Sequence, residues 1–127
     1  MDVIIDTNAY VAYTKNEGWA TDVIDRLRTI YVPFVVIGEI YFGSYNGSQA
    51  AQNIKTFQLF CQSPRVIVLH TSESTARQYG DISSALRKGG KPMQTNDIWI
   101  AALCKENGLP LLTKDKGFQN ILGLDLI

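Results

Sequence analysis

The sequence predicts an α/β protein with a mainly parallel sheet and helices on both faces. Three observations lead there: short apolar runs that read as buried strands, segments of helical period between them, and turn residues at the joins. Strand and helix alternate almost throughout, and parallel neighbours need a crossover connection that is usually helical.

The strand-like runs are Asp2–Ile5, Ile30–Val32, Val66–Leu69, Leu109–Thr113 and Leu124–Ile127, each short and bounded by Pro, Gly or charge. Helical spacing links Ala20, Val23 and Leu27; then Ala50, Ile54, Phe57 and Cys61; then Ala76, Tyr79, Ser83 and Leu86; then the run Ile98–Cys104. Asn46-Gly47-Ser48 separates two helical segments, Gly89-Gly90-Lys91-Pro92 ends another, and Asn107-Gly108 supplies a C-cap before the run at Leu109.

With 127 residues and 46% hydrophobic content, the chain can bury one core but not two comfortable ones. Residues 1–127 are therefore expected to form a single domain. Twelve Lys and Arg balance twelve Asp and Glu, so any electrostatic site must be local. No apolar run spans a bilayer and the segment MDVIIDTNAY lacks signal-peptide features, so the expectation is a cytoplasmic protein with no membrane role. Cys61 and Cys104 lie far apart at apolar positions of helical patterns and read as buried thiols.

Four acids fall on the borders of apolar elements. Asp6 ends Val3-Ile4-Ile5, at the carboxyl end of the first strand, where ligand sites of open parallel sheets gather. Asp115 stands in the same relation to Leu111-Leu112-Thr113. Glu39 is the only charge in the segment from Val35 to Gly43, and Asp97 opens the apolar run to Leu103. By contrast, Asp22 and Asp25 lie on a polar helical face, and Asp81 follows Arg77 by one turn. Each border acid alone also has a structural reading: Asp97 as a charge favoured at a helix N-terminus, Asp115 as a turn residue, Asp6 as a helix cap. Glu39 resists this, because no base shares its helix and a buried unpaired carboxylate is costly.

If the four converge, their repulsion must be neutralised. Two like charges about 4 Å apart cost roughly 4 kcal/mol at an effective dielectric near 20. Protonation or a divalent cation answers that cost, and hard oxygen ligands select Mg²⁺ or Mn²⁺. Phosphodiester hydrolysis is the natural reaction of such a centre. The single histidine, His70, excludes a two-histidine ribonuclease, and the sequence has no phosphate loop, no nucleophile elbow and no H-E-x-x-H. The scheme requires Glu39 to face Asp6 and Asp97.

The residues Ile4-Ile5-Asp6-Thr7-Asn8, Gly38-Glu39-Ile40-Tyr41-Phe42-Gly43, Asn96-Asp97-Ile98-Trp99-Ile100-Ala101-Ala102 and Leu111-Leu112-Thr113-Lys114-Asp115, with Phe118 beyond, resemble the motifs of PIN-domain nucleases. Within that family the likeness is closest to the VapC-type toxins of toxin–antitoxin pairs, in order along essentially the whole chain. The resemblance implies a three-layer α/β/α sandwich and a metal-dependent endoribonuclease. It also implies direct metal ligation by Asp6 and Asp97, with Glu39 and Asp115 acting directly or through water. Thr7, Asn8 and Thr113 match the small polar positions that orient the acids by hydrogen bonds. An RNA substrate, a homodimer and a cognate antitoxin would follow.

Lys114 and Lys116 flank Asp115, while Arg87, Lys88 and Lys91 surround Gly89-Gly90; these are candidates for RNA phosphates, with ordinary surface charge as the alternative. Tyr41, Phe42 and Tyr45 read as core or dimer interface rather than a base-stacking platform. A haloacid-dehalogenase-like phosphatase needs a second acid two residues after the first, and Asn8 stands there. A PIN-like module that binds without cutting usually lacks one or more acids, whereas all four are present; a PIN nuclease serving RNA processing rather than toxicity is a further alternative.

Overall fold

The computed structural model describes all residues, 1–127. A four-stranded sheet carries the architecture: β1 (Asp2–Ile5), β2 (Thr29–Pro33), β3 (Val66–Leu69) and β4 (Leu111–Leu112). The strands are ordered β3-β2-β1-β4 and every pairing is parallel. In β1, consecutive Val3, Ile4 and Ile5 are all fully buried. Successive strand side chains point to opposite faces, so both faces of the sheet are covered.

The chain moves from β1 outward to β2 through α1 (Thr7–Thr14) and α2 (Gly18–Ile24), then to β3 through α3 (Phe34–Tyr45) and α4 (Ala50–Gln62). It then returns through α5 (Glu73–Lys88) and α6 (Thr95–Asn107) to place β4 on the far side of β1. The direction of travel therefore reverses at β1. Outside the carboxyl ends of β1 and β4 the two connections diverge and leave a crevice, the position where open parallel sheets bind ligands.

The core is one cluster of 26 buried residues, including Ile30 and Val32 of β2, Val36 and Ile40 of α3, and Ile98 with Ile100–Cys104 of α6. Tyr10 of α1 packs edge-on against Phe57 and Phe60 of α4, at centroid distances of 5.1 and 5.0 Å. Helix α6 ends at Gly108, whose φ of 64° is left-handed, the conformation that glycine takes without a Cβ penalty. Cys104 is buried and Cys61 half-buried, both as free thiols.

Several expectations are revised. Of the run Leu109–Thr113 only Leu111 and Leu112 form strand. Leu124–Ile127 is not a strand; it makes one parallel bridge from Leu126 to Leu111, held by bonds from Leu111 N to Asp125 O and from Ile127 N to Leu111 O, both 2.9 Å. Those bonds close the edge of β4. At the other edge, Ile67 of β3 is 45% exposed, so that strand is not fully buried. On α5 the inward positions are Thr75, Ile82 and Leu86, with Ala76 exposed, because Thr75 donates to Glu106 Oε1 across to α6. Arg77 pairs with Glu73 one turn earlier, leaving Asp81 exposed and outside any ion pair.

Helix α2 stops at Ile24, before Leu27. The Arg65 guanidinium closes this stop by donating to the carbonyls of Ile24, at 3.1 Å, and Leu27, at 2.6 Å. Charged hydrogen bonds of this kind contribute about 1.5–3 kcal/mol. Arg65→Ala is therefore expected to lower unfolding stability by about 2 kcal/mol, read from the urea midpoint, whereas removing the exposed Arg26 leaves the midpoint unchanged.

Candidate active site

Asp6 follows β1 directly and caps α1, its Oδ1 accepting from Ala9 N at 2.8 Å. Its Oδ2 accepts from the Thr113 hydroxyl just past β4, so one carboxylate bridges the two strands that flank the crevice. Thr113 also accepts from Asp115 N at 3.0 Å, and Asp115 caps the closing 3-10 turn (Lys116–Asn120) through Gly117 N at 2.9 Å. Glu39 projects from α3 and accepts from the Thr7 hydroxyl at 2.7 Å. Asp97 occupies the first turn of α6. The structural readings of Asp6, Asp97 and Asp115 are thus all realised, and each cap or first-turn position also fixes where its acid stands.

All four acids line one cavity of about 380 Å³, together with Thr7, Asn8, Pro92, Met93, Gln94 and Gly117. Glu39 faces the same hollow as Asp6 and Asp97, as the sequence reading required. Asn8 lines the cavity without bonding to any of the four acids, unlike Thr7 and Thr113. Pro92, Met93 and Gln94 escaped the sequence reading; the available signal was their position immediately before the helix that Asp97 opens.

Arg87, Lys88, Lys91, Lys114 and Lys116 are exposed and none lines the cavity. The Lys114 ammonium instead lies over the Trp19 ring, 5.0 Å from its centroid. His70 is exposed beside Phe34 and does not line the acidic cavity.

No cation compensates the cluster: the two ion pairs of the protein, Arg28–Asp2 and Arg77–Glu73, lie elsewhere. Burial raises the Asp6 carboxyl above the usual range, against the lowering effect of its bonds to Thr113 and Ala9, and the charges of Asp115 and Glu39 add to the rise. Burial and then repulsion from Asp115, Glu39 and Asp6 push Asp97 up to about 6. The Cys104 thiol is pushed up to about 12, by burial first and the Asp6 charge second, so it stays neutral.

The donors are hard carboxylate oxygens, the chemistry that suits Mg²⁺ or Mn²⁺. No three His, Cys, Asp or Glu side chains stand close enough to enclose an ion by themselves. A cation here would therefore take only one or two carboxylates directly, with water completing its shell, a ligand set that Mg²⁺ accepts.

The raised Asp97 has a measurable consequence. Its folded form binds a proton more tightly than the unfolded chain, so stability without divalent cations falls as pH rises from about 4 to about 6 and stays at the lower level above. Asp97→Asn is expected to stabilise the cation-free protein at pH 7 by about 1 kcal/mol, allowing for solvent screening of a half-exposed group. The difference disappears near pH 4, as denaturant titrations at the two pH values will show.

The chain is similar to known proteins over nearly its whole length. Ribonuclease VapC1 of Haemophilus influenzae (strain R2866) is 28% identical over 131 residues, covering 98% of this chain and 95% of the relative. The structure of VapBC-1 from nontypeable Haemophilus influenzae matches all of this chain and 97% of that one, with a TM-score of 0.88 and 27% identity. VapBC2 from Rickettsia felis, solved bound to a DNA fragment from its promoter, shares the fold at a TM-score of 0.90 and 24% identity, over 100% of this chain and 98% of that one. The family model described as PIN domain matches residues 3–123, and with that match over nearly its whole length the chain belongs to the PIN domain family.

Proposed function

We propose that residues 1–127 form one PIN-like nuclease unit, an Mg²⁺- or Mn²⁺-dependent endoribonuclease acting as the toxin of a toxin–antitoxin pair. The observation that carries this reading is the meeting of Asp6, Glu39, Asp97 and Asp115 in one cavity that no basic side chain lines. The likeness to ribonuclease VapC1 over 98% of the chain supplies the substrate class.

In this proposal Asp6 and Asp97 hold the cation directly, and Glu39 and Asp115 hold it directly or through water. A bound divalent ion would make water nucleophilic at neutral pH and offset the phosphate charge. Thr113 keeps the Asp6 carboxylate turned toward β4, and Thr7 keeps Glu39 turned toward β1. Asn8 is left free to meet substrate. Lys114, Lys116, Arg87, Lys88 and Lys91 would act at the rim on RNA phosphates rather than within the cavity.

A cognate antitoxin and a second copy of the chain are part of the proposal. Helix α3 leaves Phe34 54%, Phe42 72% and Tyr45 68% exposed, and Phe34 and Phe42 border one shallow cleft, apolar side chains of the kind protein partners cover. Tyr41, by contrast, packs on Phe57 and belongs with the core. No helix is long and apolar enough to cross a membrane. An RNA substrate and a protein antitoxin place the proposed reaction in the cytoplasm.

Incubation of the purified protein with pooled RNA tests the chemistry. Cleavage is expected with Mg²⁺ or Mn²⁺, none with a chelator, and a loss of at least about 100-fold in Asp6→Asn. Asn is itself a good helix cap, so this change removes charge while keeping α1. Equal cleavage by the variant would end the proposal. Thr113→Val, which removes the hydroxyl between Asp6 and Asp115, is expected to lower activity about 10- to 100-fold with the fold retained. Growth arrest on expression, relieved by the neighbouring small open reading frame, checks the toxin role.

A further inference from the structure

The acidic cavity is not isolated. A second cleft, of about 340 Å³ and lined from α1, α3 and α4, shares Thr7 and Glu39 with it. Its walls combine apolar surface with the polar side chains of Thr14, Ser44, Asn53 and Thr56, and its one charge besides Glu39 is Lys15. Lys15 is exposed at the C-cap of α1, fixed by backbone bonds to Val11 and Ala12 and followed by Asn16 in a left-handed turn at φ 56°. Lys15 makes no ion pair, the Thr56 hydroxyl only accepts, from Gln52, and the side chains of Ser44 and Asn53 make no hydrogen bond in this region.

These are donors suited to phosphate oxygens, arranged along a path that begins at the acids. We infer that one strand of the RNA substrate leaves the cutting site through this cleft, with Lys15 holding a backbone phosphate. The inference rests on the nuclease reading and adds a substrate path to it. Lys15 stands nine positions beyond Asp6, at the opposite end of the eight-residue α1, about 13.5 Å away along the axis at 1.5 Å of rise per residue. Stacked nucleotides rise about 3.4 Å each, so Lys15 meets a phosphate a few nucleotides from the scissile one.

The contact is indifferent to base identity. The aromatic ring in the cleft, Tyr10, is packed edge-on against Phe57 and Phe60 and only 5% exposed, so it cannot serve as a stacking platform. What remains is a backbone contact, which sets register without reading sequence.

The test compares wild type, Lys15→Ala, Lys15→Arg and, for an equal change of net charge elsewhere, Arg26→Ala. Binding of two single-stranded RNA oligonucleotides of different sequence is measured in chelator across a salt series, and cleavage kinetics are measured in Mg²⁺. Lys15→Ala is expected to flatten the salt slope by about 0.7, the value for one phosphate on a single strand, equally for both sequences. Its KM should rise about fivefold, the upper end for one exposed ionic contact, with kcat unchanged and Lys15→Arg like wild type. Thr56→Glu, at an exposed position of the same cleft, should weaken binding with Lys15 intact.

A slope and KM for Lys15→Ala matching wild type, or a loss no greater than that of Arg26→Ala, would overturn the strand path while wild-type cleavage leaves the nuclease reading standing. So would weakened antitoxin binding with unchanged RNA binding, which would make the cleft a protein groove. Absence of wild-type cleavage in Mg²⁺ and Mn²⁺ would instead remove the nuclease reading itself.

Discussion

Four carboxylates held in one hollow without a basic partner set the terms for the rest of this molecule. Burial first and mutual repulsion second disfavour the charged forms in the protein alone, which is why the Asp6 and Asp97 carboxyls are raised. The cluster persists because the acids are attached to elements whose positions are decided by the apolar core. Val3, Ile4 and Ile5 commit β1 to the centre of the sheet, and Asp6 emerges where that strand ends. Ile98 and Ile100–Cys104 commit α6 to the core and carry Asp97 to the rim. Hydrophobic burial thus supplies the free energy that offsets the repulsion.

The hydrogen bonds around the acids divide into two kinds. Backbone N–H groups at Ala9 and Gly117 hold one oxygen each of Asp6 and Asp115, the ordinary work of helix and turn caps. Hydroxyls from Thr113 and Thr7 hold Asp6 and Glu39 from different elements, tying β4 to β1 and α1 to α3. Neither kind carries positive charge. The oxygens are oriented while the electrostatic demand remains, the condition under which a hard divalent ion binds with most benefit. Glu39 also borders the cleft that holds Lys15, so the cluster is the end of a longer surface feature.

Much of the fold was legible in local patterns. The boundaries of β1 and β3 agree with the sequence reading residue for residue, and α4 and α6 follow their apolar spacing. The misreadings share a cause. Leu27, Leu124 and Leu126 are apolar and sit in strand- or helix-like patterns, yet side chains and carbonyls distant in sequence decide their backbone state: the Arg65 guanidinium at Leu27, the β4 backbone at Leu126. Thr75 faces inward because Glu106, 31 residues away, offers it an acceptor. Periodicity cannot carry such information.

What the sequence determined by itself was the chemistry: which acids border apolar elements, that no histidine pair or phosphate loop competes with them, and that strand and helix alternate. These follow from residue type and spacing, which local propensity and burial read directly. Tertiary structure decided where the acids meet, since the reversal of strand order at β1 is a property of the whole chain path. It also decided that Lys114 turns to Trp19 while Lys15, unremarkable in the sequence, borders the cleft leading from the acids. A charged side chain on the surface is placed by its neighbours in space, and no spacing along the chain encodes those neighbours.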